Sequence, residues 1–264
     1  MIINQDLKIY IENNIFPEYF KNDLGHNIDH INYVIERSLK FSDTIPEINY
    51  NMVYTIASYH DIGHHIDAKN HEKVSSEILL KDEKLKKFFS EEEIMIMSEA
   101  IYDHRASLEY EPRSIYGKIV SSADRNCDVN TSLIRTYEYR VKHNEDYFLD
   151  KIIAKSREHL KNKFGKNGYA NDKIYFEDNE YKEYLDKIAL LVSDEDLFIN
   201  QYLKANKIDS SIFIKIFNNL KTNKPNLSLE ALLYETFIRT RLKETDSFDK
   251  YRNVILEANG LAEK

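Results

Sequence analysis

Apolar residues recur along this chain at spacings of three and four, with polar residues between them, through nearly every segment. That period gathers the apolar side chains on one face of an α-helix. Ile28, Ile31, Val34, Ile35 and Leu39 form one such stripe from about residue 27, and Met52, Val53, Ile56, Ala57 and Tyr59 form another over 51–60. The spacing predicts a first helix over 2–21 and further ones over 71–80, 116–127, 130–163, 179–192, 194–205, 212–221 and 228–257. Ser90 and Glu93 have the spacing of a capping box ahead of the apolar run from Ile94 to Ile101. Gly63 reads as the residue just past the end of the 51–60 helix, and Pro46 as a break before it.

Few residues interrupt this pattern: the chain holds only six Gly and four Pro, two of the glycines in 164–178, the segment that reads most clearly as a loop. The expected fold class is therefore all-α, a helical bundle with additional C-terminal helices. No compositional shift marks a boundary. The organisation expected is a domain over 1–205 with the helices of 206–264 packed on it as an extension, amphipathic enough to serve as a homodimer surface.

Composition narrows the function classes. At 264 residues the chain can bury a substantial core, and a net charge of -8 with 31% charged residues points to a soluble molecule. Nothing in it resembles the basic stripe of a protein that binds a nucleic-acid polymer. Lysine-rich 81–87 and acidic 91–93 read as solvated faces. Cys127 is the single cysteine, which excludes an intrachain disulfide and fits a reducing compartment. The first residues are interrupted by Asp6, Lys8 and Glu12, and no apolar run approaches the ~18 residues of a membrane span. The expected location is cytoplasmic, away from membranes.

Histidine changes the picture. Four of the nine histidines, with two aspartates, crowd into ASYHDIGHHIDAKNH over 57–71. A lone histidine at a helix end is usually a satisfied surface or core residue, and a lone aspartate an ordinary salt-bridge partner. Here the combination matters. His30 stands early in the second helix, His60 and Asp61 close the third, and Asp124 ends the stripe of Ile119, Val120 and Ala123. One imidazole, an imidazole–carboxylate pair and a distant carboxylate make a mixed N/O set suited to a divalent first-row metal with open positions. Neighbouring helical residues point ~100° apart, so His60 and Asp61 can share an ion only where the backbone is leaving the helix.

The order His30, His60-Asp61, Asp124 resembles the H…HD…D signature of the HD superfamily of metal-dependent phosphohydrolases. HDIG at 60–63, DHI at 29–31 and SADR at 122–125 carry the likeness, which covers roughly residues 20–150 and extends toward 205. The resemblance implies an all-α bundle with metal between its helices. It implies hydrolysis of a phosphoester or phosphoanhydride by a metal-activated water, with Asp61 in the catalytic centre. It further implies a second ion held by His71 and His104, with Asp61 bridging the two. The alternative is a single ion, with those histidines lining the pocket. Mn2+ or Fe2+ suits the ligand set best; Mg2+, Ni2+, Co2+ and Zn2+ are the other options.

Many members of the superfamily carry a lysine after HDIG, where this chain has His64. His64 is then a candidate phosphate contact or general acid, or else equally a residue facing solvent, as His65 is expected to do. His26 lies one helical turn before His30 and, with Arg105, Lys118 and Arg125, is a candidate substrate contact; each cation could equally be a structural ion-pair partner. His143 and His159 read as surface residues. KIVSSADR at 118–125 is similar to a stretch found in small nucleotide hydrolases, which makes a nucleotide the favoured substrate. A cyclic-dinucleotide phosphodiesterase would carry a downstream GYP-type motif, which is missing, and a guanosine-tetraphosphate hydrolase an acidic pair that 64–72 lacks. An iron-dependent oxygenase could use the same six ligands, and a metal-binding sensor with little turnover is the non-enzymatic alternative.

Overall fold

The computed structural model describes residues 2–144, 149–171, 173–208, 211–240, 252–253, 256–257 and 259–261. The protein is all-α, with twelve α-helices and no strand among the described residues. None of these helices is long and apolar enough to cross a membrane. Backbone contacts group the chain into two compact units, Met1–Arg125 with Tyr169–Asn179, and Asn126–Gly168 with Glu180–Lys264. The division expected between 205 and 206 falls inside the second unit.

The first unit is built from α1 (Gln5–Asn14), α2 (Ile28–Ser42), α3 (Tyr50–Tyr59), α4 (His71–Lys81), α5 (Glu91–Tyr102) and α6 (Ile115–Ala123). α3 is buried from Met52 to Tyr59 and packs on α2, α5 and α6. The stripes read from sequence form its core, with Ile31, Val34, Met52, Ile56, Met97, Ile101, Ile119 and Val120 all buried. Small hydroxyls fill the close contacts between helices. Ser58 and Ser42 donate back to Tyr54 O and Ser38 O at 2.7 Å, and the Ser76 and Ser98 hydroxyls pair across α4 and α5 at 2.7 Å.

Helix ends follow the capping chemistry of the sequence. The Ser90–Glu93 box closes reciprocally, Ser90 N–H donating to the Glu93 carboxylate at 2.9 Å and Glu93 N–H to Ser90 Oγ at 3.2 Å. The first helix is shorter than periodicity predicts. It ends at Asn14, and Phe16–Lys21 continues as a 3-10 turn beginning around Pro17, which has no N–H to give an α-helix. α6 also stops early, at Ala123 rather than 127. Arg37 Nε donates to Ala123 O at 3.3 Å and Tyr33 Oη to Arg125 O at 3.2 Å, so side chains of α2 meet the carbonyls at and just past this helix end. Arg37 also pairs with Asp178.

The single helix expected over 130–163 is two, α7 (Val129–His143) and α8 (Leu149–Phe164). With α9 (Asn179–Ser193), α10 (Glu195–Ala205), α11 (Ser211–Asn223) and α12 (Leu229–Thr240) they make the second unit. Buried Tyr184 and Tyr202 satisfy their hydroxyls on Ser132 at 2.7 Å and Ser156 at 2.8 Å. Phe217, Leu220, Leu233 and Phe237 join α11 to α12. Most of the helix expected beyond Thr240 lies outside the described residues.

Candidate metal centre

The first unit gathers six ligand-type side chains at or beside helix ends. His30 sits in the first turn of α2, where Asn27 Oδ1 caps its N–H at 3.1 Å. His60 is the C-cap of α3 and Asp61 the residue after it. His71 opens α4, His104 follows the cap of α5, and Asp124 caps α6. His60 itself keeps right-handed helical dihedrals, and the adjacent side chains meet with Asp61 Oδ2 3.3 Å from His60 Nε2.

They form two pockets, one of His30, His60, Asp61 and Asp124 and one of Asp61, His71 and His104. Asp61 spans both. Its Oδ2 lies 3.3 Å from His60 Nε2 and 3.5 Å from His30 Nε2, while its Oδ1 lies 3.2 Å from His71 Nε2 and 3.5 Å from His104 Nε2. Asp124 Oδ1 closes the first pocket, 3.1 Å from His30 Nε2 and 3.8 Å from His60 Nε2.

Backbone carbonyls set the tautomers. Nδ1–H donates to a carbonyl three residues earlier at His60 (Ala57, 2.8 Å), His71 (Ala68, 3.1 Å) and His104 (Ile101, 2.6 Å). Each Nε2 lone pair is thereby turned to the centre, as a metal ligand requires. His71 Nε2 and His104 Nε2 then stand 3.3 Å apart, two lone pairs facing one another beside a carboxylate oxygen. A shared proton or a metal ion between them relieves that contact. His60 Nε2 and Asp61 Oδ1 are buried without a hydrogen-bond partner, so the donor set fits a divalent ion pair.

Without an ion, the charges compensate one another. Burial pushes the His30 and His60 imidazoles down, but Asp61 and Asp124 beside them raise both, His60 well above the usual histidine range. Burial pushes Asp61 and Asp124 up, and the facing imidazoles outweigh it, holding both carboxyls well below the usual range. His71 is lowered by burial and by the neighbouring His104, despite Asp61.

Two loops hold the outer rim. Gly63 N–H donates to Ser75 Oγ at 2.9 Å, and a Cβ there would stand 2.7 Å from Val74 Cγ1 and 2.8 Å from Ser75 N. Gly63 is thus required by close approach to α4 rather than as a left-handed helix terminator. Asn22, which the sequence did not single out, donates its amide to Asp61 O and His26 O at 3.0 Å and accepts from His65 N–H at 2.9 Å. His65 is therefore half-buried and tied rather than turned to solvent.

His26 and His64 stack with ring centroids 3.7 Å apart, His64 lying 5.3 Å from His71. Burial, with His26 alongside, pushes His64 down to about 4. A neutral His64 cannot supply the positive charge of a lysine. The other candidate substrate contacts are engaged locally. Lys118 pairs with Glu111 at 2.7 Å, Arg105 with Glu72 at 3.1 Å, and buried Arg125 donates Nε to Ser121 O at 2.9 Å. His143 and His159 are exposed in the second unit.

Residues 27–126 match the family model of the HD domain. Comparison with the curated proteins and with the solved structures returned no match.

Proposed function

We propose that the protein hydrolyses a phosphoester or phosphoanhydride bond of a nucleotide; the match of residues 27–126 to the HD-domain family model and a buried His/Asp cluster there that could hold divalent metal support this reading. The observation that carries this reading is Asp61, whose two oxygens face separate imidazole pockets. A bridging carboxylate between paired sites suits in-line displacement at phosphorus, where both attacking and leaving oxygens need stabilisation. Divalent ions held there would supply Lewis acidity and an acidified water; Mn2+ and Fe2+ are the favoured choices.

The chain's own residues divide the work. Asp61 and Asp124 contribute negative charge against the ions. His30, His60, His71 and His104 present nitrogen, three of them oriented by carbonyls of their own helices or turns. His64, neutral at pH 7, accepts a hydrogen bond at its free ring nitrogen and can orient a leaving-group hydroxyl or a protonated phosphate oxygen. The resemblance of KIVSSADR at 118–125 to a stretch found in small nucleotide hydrolases favours a nucleotide over other phosphorylated small molecules.

The test is release of phosphate or pyrophosphate from a panel of nucleoside mono- and triphosphates by Mn2+- or Fe2+-loaded protein. Turnover is expected for at least one, with a loss of at least ~100-fold in His60→Ala and Asp61→Ala. Turnover surviving in those variants would refute the site. Oxygen consumption by the iron-loaded protein without phosphate release would move it to oxygenase chemistry.

A further inference from the structure

A third ligand cluster lies beside the second pocket, made by Asp23, His26 and His64. One ligand atom from each lies within 4.8 Å of the others. Asp23 Oδ1 sits 2.7 Å from His26 Nδ1, and the His26 and His64 rings stack at 3.7 Å with their planes 19° apart. We infer that Asp23, His26 and His64 form a further divalent-cation site, outside the pair that Asp61 bridges.

The two histidines come from separate segments, so their meeting is a product of the fold. His26 closes the 3-10 turn Leu24–His26, whose first N–H groups Asp23 caps by accepting from Gly25 N–H at 3.0 Å. His64 belongs to the turn that follows Asp61. Asn22 fastens the two segments, its amide reaching both His26 O and Asp61 O at 3.0 Å. The cluster is held before any ion arrives. One carboxylate and two imidazoles leave positions open for water, a set that suits Zn2+ or Co2+ better than Mg2+ or Ca2+. The cluster adjoins the bridged pair, with His26 6.0 Å from His30 and 6.2 Å from His71 by ring centroids.

This site goes beyond the proposed reaction and binds an ion without it; an ion here takes the His64 ring nitrogen that otherwise accepts from substrate. The experiment is a Co2+ titration of the metal-stripped full-length protein, followed by visible absorption, with bound metal measured by atomic emission after gel filtration. The expected result is saturation near about three equivalents, falling by about one in Asp23→Asn and in His64→Gln, with a ligand-field band lost in both. Asp61→Asn should instead lose ions from the bridged pair and keep that band. Circular dichroism and melting temperature confirm that each variant folds. Saturation of the wild type at about two equivalents, unchanged in Asp23→Asn and His64→Gln, would overturn this inference and leave the bridged pair intact. No binding at all would overturn both.

Discussion

Protons and metal ions compete for the same atoms in this centre, and the competition has a sign that can be worked out residue by residue. His30 and His60 are raised above the ordinary 6.5 by Asp61 and Asp124 against the effect of burial. Their contribution to the metal-free fold is full below pH 6.5 and is lost as pH rises through the raised values. His64, lowered from 6.5 to about 4, acts in the opposite direction: its contribution is full above 6.5 and is lost as pH falls toward that value. Lowered His71 adds to the same loss. Because the two pairs oppose each other between pH 5.5 and pH 7, the sign is fixed for a difference: the drop in melting temperature of chelator-treated protein from pH 7 to pH 5.5 should be smaller, or reversed, in His64→Gln than in the wild type. An equal drop in the variant would remove His64 from the account. His60, Asp61 and Asp124 are legible in the sequence because each ends an apolar helical stripe with a ligand-type side chain, and His30 because it stands at the start of one. Asn22 and Asp23 are not, since two polar residues after Lys21 look like any loop; only the fold brings them against the 60–66 turn.

Gly63 decides how closely the HD turn approaches α4, and so where His71 stands relative to Asp61. A methyl group at this position would meet Val74 Cγ1 at 2.7 Å and the Ser75 backbone nitrogen at 2.8 Å, and the latter cannot swing aside. Gly63→Ala should destabilise the protein by about 1–3 kcal/mol, the usual cost of overpacking. It should also weaken metal binding, because the strain is relieved by moving the helix that begins with His71. Urea unfolding and a metal titration check both, and an unchanged affinity would separate Gly63 from the site. Helix positions were legible where caps and stripes agreed, as at Ser90–Glu93 and over 51–60. Boundaries failed where tertiary contacts or the lack of a breaker intervened. Tyr33 and Arg37 of α2 bind carbonyls at the end of α6, a contact invisible in the sequence, and VKHNEDYF around residue 144 carries no Gly or Pro to mark where α7 stops. Asp103 was likewise missed: buried at the end of α5, it accepts from Arg113 N–H and Nε at 2.9 Å and fixes the backbone beside His104.

At the scale of the whole chain, every ligand-type residue of the three clusters belongs to the first unit, and none to α7–α12. A ligand that binds only the native state stabilises what it touches by about 2.7 kcal/mol at a hundredfold excess over its dissociation constant. That gain reaches other parts of a protein only if they open together with the binding site. With ions bound, these side chains would tie the starts of α2 and α4 to the ends of α3, α5 and α6, so that local opening of any of these helices would release an ion. Hydrogen exchange measured with and without Mn2+ should accordingly show slower exchange at amides near residues 28–31, 57–64, 71–75, 101–104 and 120–125. Amides of α7, α9 and α10, which hold no ligand, should exchange at the same rate in both conditions. Protection rising equally in those helices would mean that both units open as one cooperative block. Protection absent from the first set, with metal bound, would place the ion somewhere other than between these helix ends.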